Sequence, residues 1–266
     1  MALARTLADM EATARTLEGR VALVTGSSRG IGAAIARAFA AEGAAVAVHG
    51  RDGAAVEGVR SGIESSGGRA IGTLADATDF AQVESLRAEV ESQLGPVDLL
   101  VANAGGSPIP PGPVEEIAPE AWQQSVDVNL TATFLAVKCF LPGMKERGRG
   151  VILTMSSAAA RRTTAMSPVA YTAAKAGIAQ LTKSVALQAG PAGIRCVCLA
   201  PETILTERNQ QQIPEDVQEA LRQNHPIQRL GTPEDVARAA VFFASDDAAG
   251  WISGITVDIA GGSVLV

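Results

Sequence analysis

The sequence predicts an α/β fold, a doubly wound parallel sheet of about seven strands with helices on both faces. Three observations predict it. Short β-branched apolar runs recur along the chain, and stretches with helical periodicity lie between them. The runs are also near-continuously apolar instead of alternating, which is the pattern of strands covered on both faces.

The predicted strands are Val21 to Thr25, Ala44 to Val48, Arg69 to Leu74, Val97 to Asn103, Val151 to Ser156, Ile194 to Ala200 and Ile255 to Val257. The helical stretches between them are Ile31 to Glu42, Phe80 to Leu94, Trp122 to Lys145, Val169 to Ala189 and Pro233 to Ala244. A further helix starts near Asp52, whose carboxylate suits an N-cap. No linker, repeat or low-complexity segment divides the chain. The expected organisation is a domain over 19–266, with a substrate loop at about 202–229, preceded by an extension over 1–18. In that extension Leu3, Leu7, Met10, Ala14 and Leu17 fall at helical spacing, which suits an arm packed on its own subunit or on a neighbour.

Composition excludes several functions. The 266 residues are 47% hydrophobic, enough for an ordinary core without disulfides. The formal charge is -6 and Lys and Arg are scattered, so a nucleic-acid partner lacks its electrostatic footprint. No run approaches the roughly 18 apolar residues of a membrane helix, and Arg5, Asp9, Glu11 and Arg15 interrupt any signal-peptide core. The expected location is the cytoplasm, with no membrane partner. Cys196 and Cys198 alternate in a predicted strand, and the only histidines, His49 and His225, lie near no cysteine in sequence, so no metal site is expected.

In a doubly wound sheet the loops at the carboxyl ends of the strands bind ligands. The first reads Thr25-Gly26-Ser27-Ser28-Arg29-Gly30-Ile31-Gly32 and opens into a helix. Gly26 permits a tight strand exit, Gly30 a close approach of backbone to a pyrophosphate, and Gly32 close helix packing, with the helix N-terminus facing the phosphates. The same stretch also fits G-x-S-x-G with Ser28 as a hydrolase nucleophile and His225 as a partner. That rival lacks an earlier strand-helix loop to supply an oxyanion donor.

Cofactor choice is read at the end of the second strand. An acidic residue about twenty positions after the glycine loop would bind the ribose 2′-hydroxyl of NAD. Gly50 stands there, and Arg51 with Arg29 offers two guanidinium groups suited to a 2′-phosphate, so NADP(H) is expected.

Farther along come Asn129, the pair Ser156-Ser157 closing a strand, and Tyr171-Thr172-Ala173-Ala174-Lys175 on a helix. Tyr171 and Lys175 are one turn apart and share a face. At about 5 Å and an effective dielectric of about 20, the ammonium would stabilise a phenolate by on the order of 3 kcal/mol, or about two pKa units. Such a phenol can give a proton to a carbonyl oxygen as hydride arrives and reclaim it in reverse. Tyr171 is the only tyrosine in the chain.

Together these residues resemble the short-chain dehydrogenase/reductase family, in the subgroup containing 3-oxoacyl-carrier-protein reductases and other ketoreductases. The likeness spans about residues 18 to 263. It implies a Rossmann-type fold and an NADP(H)-dependent interconversion of carbonyl and secondary alcohol in a homo-oligomer, a dimer or tetramer. It further implies catalytic roles for Asn129, Ser157, Tyr171 and Lys175. Ser157 would orient the substrate oxygen, Tyr171 would transfer the proton, Lys175 would also hold the nicotinamide ribose, and Asn129 would steady a water relay. By the same resemblance the cofactor would meet Gly26, Ser28, Arg29, Gly30, Ile31, Gly32 and Arg51, then Asp76, Ala77, Asn103, Ala104 and Gly105. Asp76 and Asn103 would sit near the adenine end and its ribose. Tyr171, Lys175, Pro201, Ile204 and Thr206 would meet the nicotinamide half.

Two departures matter. Ser157 lies fourteen positions before Tyr171, one more than is usual, so Ser156 remains an alternative. Glu202 stands where the family commonly has glycine after the proline. Substrate is open among acyl thioesters, sugars or polyols and other ketones. An acyl-carrier substrate would favour a basic rim, for which Arg161, Arg162 and Arg208 are candidates. Gln210, Gln211, Gln212 and Gln223 suit either a mobile lid or a solvated helix face. A dinucleotide-sensing protein without turnover is the reading from another class.

Overall fold

Strand positions follow the apolar runs closely. The computed structural model describes residues 15–265, and the part of the N-terminal extension before Arg15 lies outside the described residues. Its strands are β1 (Val21–Val24), β2 (Ala45–Gly50), β3 (Arg69–Leu74), β4 (Leu99–Ala102), β5 (Gly150–Met155), β6 (Ile194–Pro201) and β7 (Thr256–Ile259). They form one parallel sheet in the order β3-β2-β1-β4-β5-β6-β7. β1, β2, β4, β5 and β6 are buried throughout, because helices pack on both faces. Two apolar clusters result, one on each side of the sheet, anchored by Phe39, Val46 and Leu153 on one side and by Leu23, Phe140 and Ile152 on the other.

The chain reverses its winding between β1 and β4, and the crevice at that switch point is where such sheets take ligands. The helices Phe80–Leu94, Val169–Ala189 and Pro233–Ala244 have the predicted bounds, and Asp52 caps the helix Gly53–Ser65 by accepting from the Ala55 amide at 3.2 Å. One expectation needs correction. The segment Trp122 to Lys145 is not one helix but Pro119–Val126 and Ala132–Arg147 joined by a π-helical turn, Asp127–Thr131. A single wide turn preserves the helical direction, so periodicity alone does not reveal it. Between β6 and residue 229 lie two short helices without a buried residue, Glu207–Gln212 and Glu215–Asn224, so the glutamines occupy solvated helix faces. No helix among the described residues is long and apolar enough to cross a membrane.

Candidate active site

The loop after β1 is held in place before any ligand is considered. Gly26 turns with φ +65°, and a Cβ there would come within 2.9 Å of the Ala104 backbone. A Cβ on Gly32 would lie 2.4 Å from the Gly26 carbonyl oxygen, so only glycine lets the helix Gly30–Ala41 start this close to the loop. Arg29 occupies the N-cap without a side-chain bond to that helix, leaving its first amides for another acceptor.

Neighbouring strand ends brace this loop. Asn103 Nδ2 donates to the Thr25 and Gly26 carbonyls at 3.0 and 3.1 Å, and Thr25 Oγ1 accepts from the Asn103 and Ala104 amides. On the other side the Gly26 amide donates to His49 Nδ1 at 3.1 Å, and Ser27 exchanges two bonds with the His49 backbone. His49 Nε2 lies 3.1 Å from the Ala75 carbonyl oxygen. A ring that accepts at Nδ1 and donates at Nε2 is neutral, in agreement with the burial that lowers its pKa. Sequence reasoning passed over His49, because nothing in one strand reveals the loops its ring joins.

Two hollows flank the loop and share Gly26, Arg29 and Gly105. The outer one, about 390 Å³, is lined by Ser28, Arg51, Asp76, Ala77 and Ala104 among others. There Arg29 Nη2 pairs with Asp52 at 2.9 Å, and Arg51 Nη1 lies 3.9 Å from Asp76. Asp76 is held below the usual carboxylate range, first by the Thr78 hydroxyl and amide and then by Arg51. The expected arginine pair is therefore present, with a carboxylate beside each guanidinium. Asn103 lines the other hollow, its amide turned to the glycine loop.

The inner hollow, about 350 Å³, brings together Gly30, Ile31, Gly32, Ser157, Tyr171, Lys175, Pro201, Ile204 and Thr206. Ser156 Oγ is buried and donates to the Lys175 carbonyl at 2.7 Å, while Ser157 is half-buried, lines the hollow with Tyr171 and works to lower the pKa of its phenol. Ser157 is thus the serine beside the phenol, and residues 161–166 of the segment between them are exposed. Lys175 is 3% exposed; its Nζ donates to the Met155 carbonyl at 2.7 Å and sits 5.6 Å from the Tyr171 ring centre. Burial pushes the ammonium down to about 8. Burial also raises the Tyr171 phenol, against the opposing effect of Ser157, so the expected pull by Lys175 toward neutrality is not the dominant effect.

Asn129 lies in the π-helical turn and is fully buried behind the loop after β4. Its Nδ2 donates to the Gly106 and Ser125 carbonyls at 2.8 and 2.9 Å, and its Oδ1 accepts the Gly106 amide at 3.1 Å. A Cβ on Gly105 would come 2.5 Å from Asn129 Oδ1 and 3.4 Å from Lys175 Nζ, so both side chains press on this one glycine. Thr206 crosses from the far wall, its methyl 3.3 Å from where a Gly30 Cβ would stand.

His225, the imagined hydrolase partner of Ser28, is committed elsewhere. Its Nδ1 lies 2.6 Å from the Leu221 carbonyl oxygen and its Nε2 bonds Glu202. Glu202 lines the inner hollow beside Pro201. The pair was not legible in the sequence, where the two residues stand far apart. A larger cavity of about 740 Å³ lies at the amino ends of β5 and β6, lined by Lys183, Leu187 and Trp251, and Ser157, Tyr171 and Lys175 are not among its walls.

Known proteins match this arrangement along nearly the whole chain. The family model for enoyl-(acyl carrier protein) reductase matches residues 26–263. The 7alpha-hydroxysteroid dehydrogenase of Escherichia coli K12 is 35% identical over 249 residues, 93% of this chain and 95% of that protein. The D-threitol dehydrogenase of Mycolicibacterium smegmatis is 36% identical over 250 residues, 94% of each. A solved 7 alpha-hydroxysteroid dehydrogenase complexed with NADH and 7-oxo glycochenodeoxycholic acid superposes with a TM-score of 0.89 at 34% identity, covering 95% of this chain and 97% of that one. With the seven-stranded parallel sheet and these whole-length matches, the chain belongs to the short-chain dehydrogenase/reductase family of oxidoreductases.

Proposed function

We propose that this chain is an NADP(H)-dependent enzyme that interconverts a carbonyl and a secondary alcohol. The observation that carries the reading is the convergence of Ser157, Tyr171 and Lys175 in one hollow that continues into the glycine loop. The dinucleotide supplies or accepts the hydride. Its pyrophosphate would lie at the open N-terminus of Gly30–Ala41, and its 2′-phosphate beside Arg29 and Arg51, where Gly50 presents no carboxylate. Lys175 would hold the nicotinamide ribose from within the wall, and Asn129 would fix the Gly105-Gly106 backbone against it.

Ser157 would donate to the substrate oxygen and orient it. Tyr171, whose pKa burial raises, carries its proton at neutral pH, the form that protonates a carbonyl oxygen during reduction. That form suits carbonyl reduction, and in alcohol oxidation Tyr171 would reclaim the proton. An acyl-carrier-protein substrate of the 3-oxoacyl type needs a basic rim, and Arg161 is paired with Asp258, leaving Arg162 and Arg208 beside the hollows. A sugar or polyol substrate is the second reading, favoured by the polar lining next to Ser157. By family resemblance the chain assembles as a homo-oligomer, which light scattering of the purified protein tests.

The functional test is NADPH consumption across ketones, 3-oxoacyl thioesters and oxidised sugars. Turnover of at least one class, lost in Tyr171→Phe, is the expected result. Flat traces across the set would favour the dinucleotide-sensing alternative.

A further inference from the structure

Beyond Ser157, on the side away from the glycine loop, the inner hollow adjoins a third of about 250 Å³. It is smaller than the clefts of about 300–1,000 Å³ that take drug-sized ligands. Its walls are Ser157, Arg162, Thr164, Ser167, Glu202 and Thr203, and the remaining lining side chains are alanines. Thr164 and Ser167 bond each other, so the groups that an apolar substrate would leave unpaired there are Glu202 Oε1 and the Arg162 guanidinium, at a desolvation cost of about 1–3 kcal/mol for each such group. A substrate carrying hydroxyls would pair them.

Glu202 is the focal group of that wall, since it borders both hollows. Its Oε2 faces the His225 ring, which is 5% exposed, and no protein hydrogen bond reaches Oε1 among the described residues. Both nitrogens of His225 face oxygen, Nδ1 the Leu221 carbonyl and Nε2 the carboxylate. Held at both nitrogens, the ring fixes the direction of the Glu202 carboxylate. The ring is wedged against the C-terminal turn: a Gly261 Cβ would stand 3.4 Å from His225 Cδ2, and the Ile227 amide donates to the Gly261 carbonyl. The Glu202 amide itself donates to the Ile259 carbonyl at 3.1 Å. Backbone and side chain are both anchored, which orients an acceptor toward the substrate side of Ser157.

We propose that Glu202, positioned by His225, determines specificity by accepting a hydrogen bond from a hydroxyl of a polyhydroxylated substrate beside the reacting carbon. This inference rests on the oxidoreductase reading above and narrows its substrate to a small polyol or the corresponding keto-sugar. A carboxylate at this wall disfavours an anionic group on the same carbon and an extended apolar chain alike.

The test uses the full chain saturated with NADP⁺ and compares erythritol, ribitol and sorbitol with cyclohexanol. The expected wild-type kcat/KM favours at least one polyol. In Glu202→Gly the polyol-to-cyclohexanol ratio of kcat/KM should fall at least tenfold, with the change in KM and not in kcat. Glu202→Gln, which keeps the shape, should lower the ratio less, and His225→Gln should lower it through the same KM effect. A ratio within twofold of wild type in Glu202→Gly, or a wild-type preference for cyclohexanol, overturns the proposal; should Glu202→Gly fail to fold, the Glu202→Gln ratio decides. Calorimetry of polyol binding to the protein with NADP⁺ separates the two readings. Polyol binding that Glu202→Gly abolishes, without turnover of any alcohol, retains the hydroxyl site and rejects the oxidoreductase reading. Cyclohexanol turnover without polyol binding does the reverse.

Discussion

Two buried ionisable groups set opposite requirements in the hollow that holds Tyr171 and Lys175. Lys175 holds an ammonium in a wall where burial lowers it to about 8, so its charged form costs stability. Below about pH 8 folded and unfolded chains both carry that proton; between about 8 and the unfolded value the unfolded chain binds more, so this cost is relieved as pH rises. Lys175→Met should therefore raise the melting temperature at pH 7, by an amount equivalent to about 1–3 kcal/mol, while abolishing turnover. The gain should shrink as the pH of a thermal-melt series approaches 10. Tyr171 is protonated at neutral pH, and Tyr171→Phe should lower kcat/KM for carbonyl reduction by about 10²–10⁴ while leaving NADPH affinity within a few-fold. Stopped-flow fluorescence beside steady-state rates separates those quantities. At the outer hollow, the proposed NADP(H) reading gives Arg51 the 2′-phosphate to hold, so Arg51→Ala should lower kcat/KM with NADPH about tenfold and leave the NADH value nearly unchanged. Equal losses with both nucleotides would show that the Arg51–Asp76 contact matters only to structure.

The elements that carry these side chains are stapled to one another at their ends. His49 joins the glycine loop to the end of β3 through a neutral ring. Burial lowers its pKa, so on acidification through about 6.5 the unfolded chain takes up a proton that the folded chain refuses, and stability falls. In His49→Gln the melting temperature should drop at pH 7 but depend less on pH between 7 and 5 than in the wild type. NADPH affinity should weaken along with it, because the Gly26 turn loses its brace. Asn129 does comparable work from the π-helical turn, satisfying both backbone groups of Gly106. The predicted single helix over this region hid that turn. Its presence explains how a fully buried asparagine reaches a loop on a different strand.

At the scale of the molecule, stability and chemistry occupy opposite ends of the sheet. At the amino ends Asp98, nearly buried, accepts from Arg149 and the Val21 amide, and Arg20 bridges toward Asp246. Asp98→Ala leaves these donors without their partner and should cost about 3–5 kcal/mol in a denaturant melt. Because the site lies at the carboxyl ends, kcat/KM at 25 °C should stay near wild type. The sheet, its strand positions and most helix bounds were legible in the sequence, since burial on both faces writes itself as unbroken apolar runs and helix packing as periodicity. The glycine loop and the Tyr171–Lys175 pair were legible for a similar reason: each is a local spacing that backbone geometry translates directly into position. Three things depend on the fold. Ser157 and not Ser156 meets Tyr171, because the strand end turns Ser156 inward to the Lys175 carbonyl. Burial, a property of the assembled wall, outweighs the one-turn attraction between Lys175 and Tyr171. Glu202 meets His225 only because β6 and the end of the Glu215–Asn224 helix converge on the C-terminal turn. Sequence alone determined the sheet and the kind of site it carries, whereas contacts between residues distant along the chain decided which atoms face one another there.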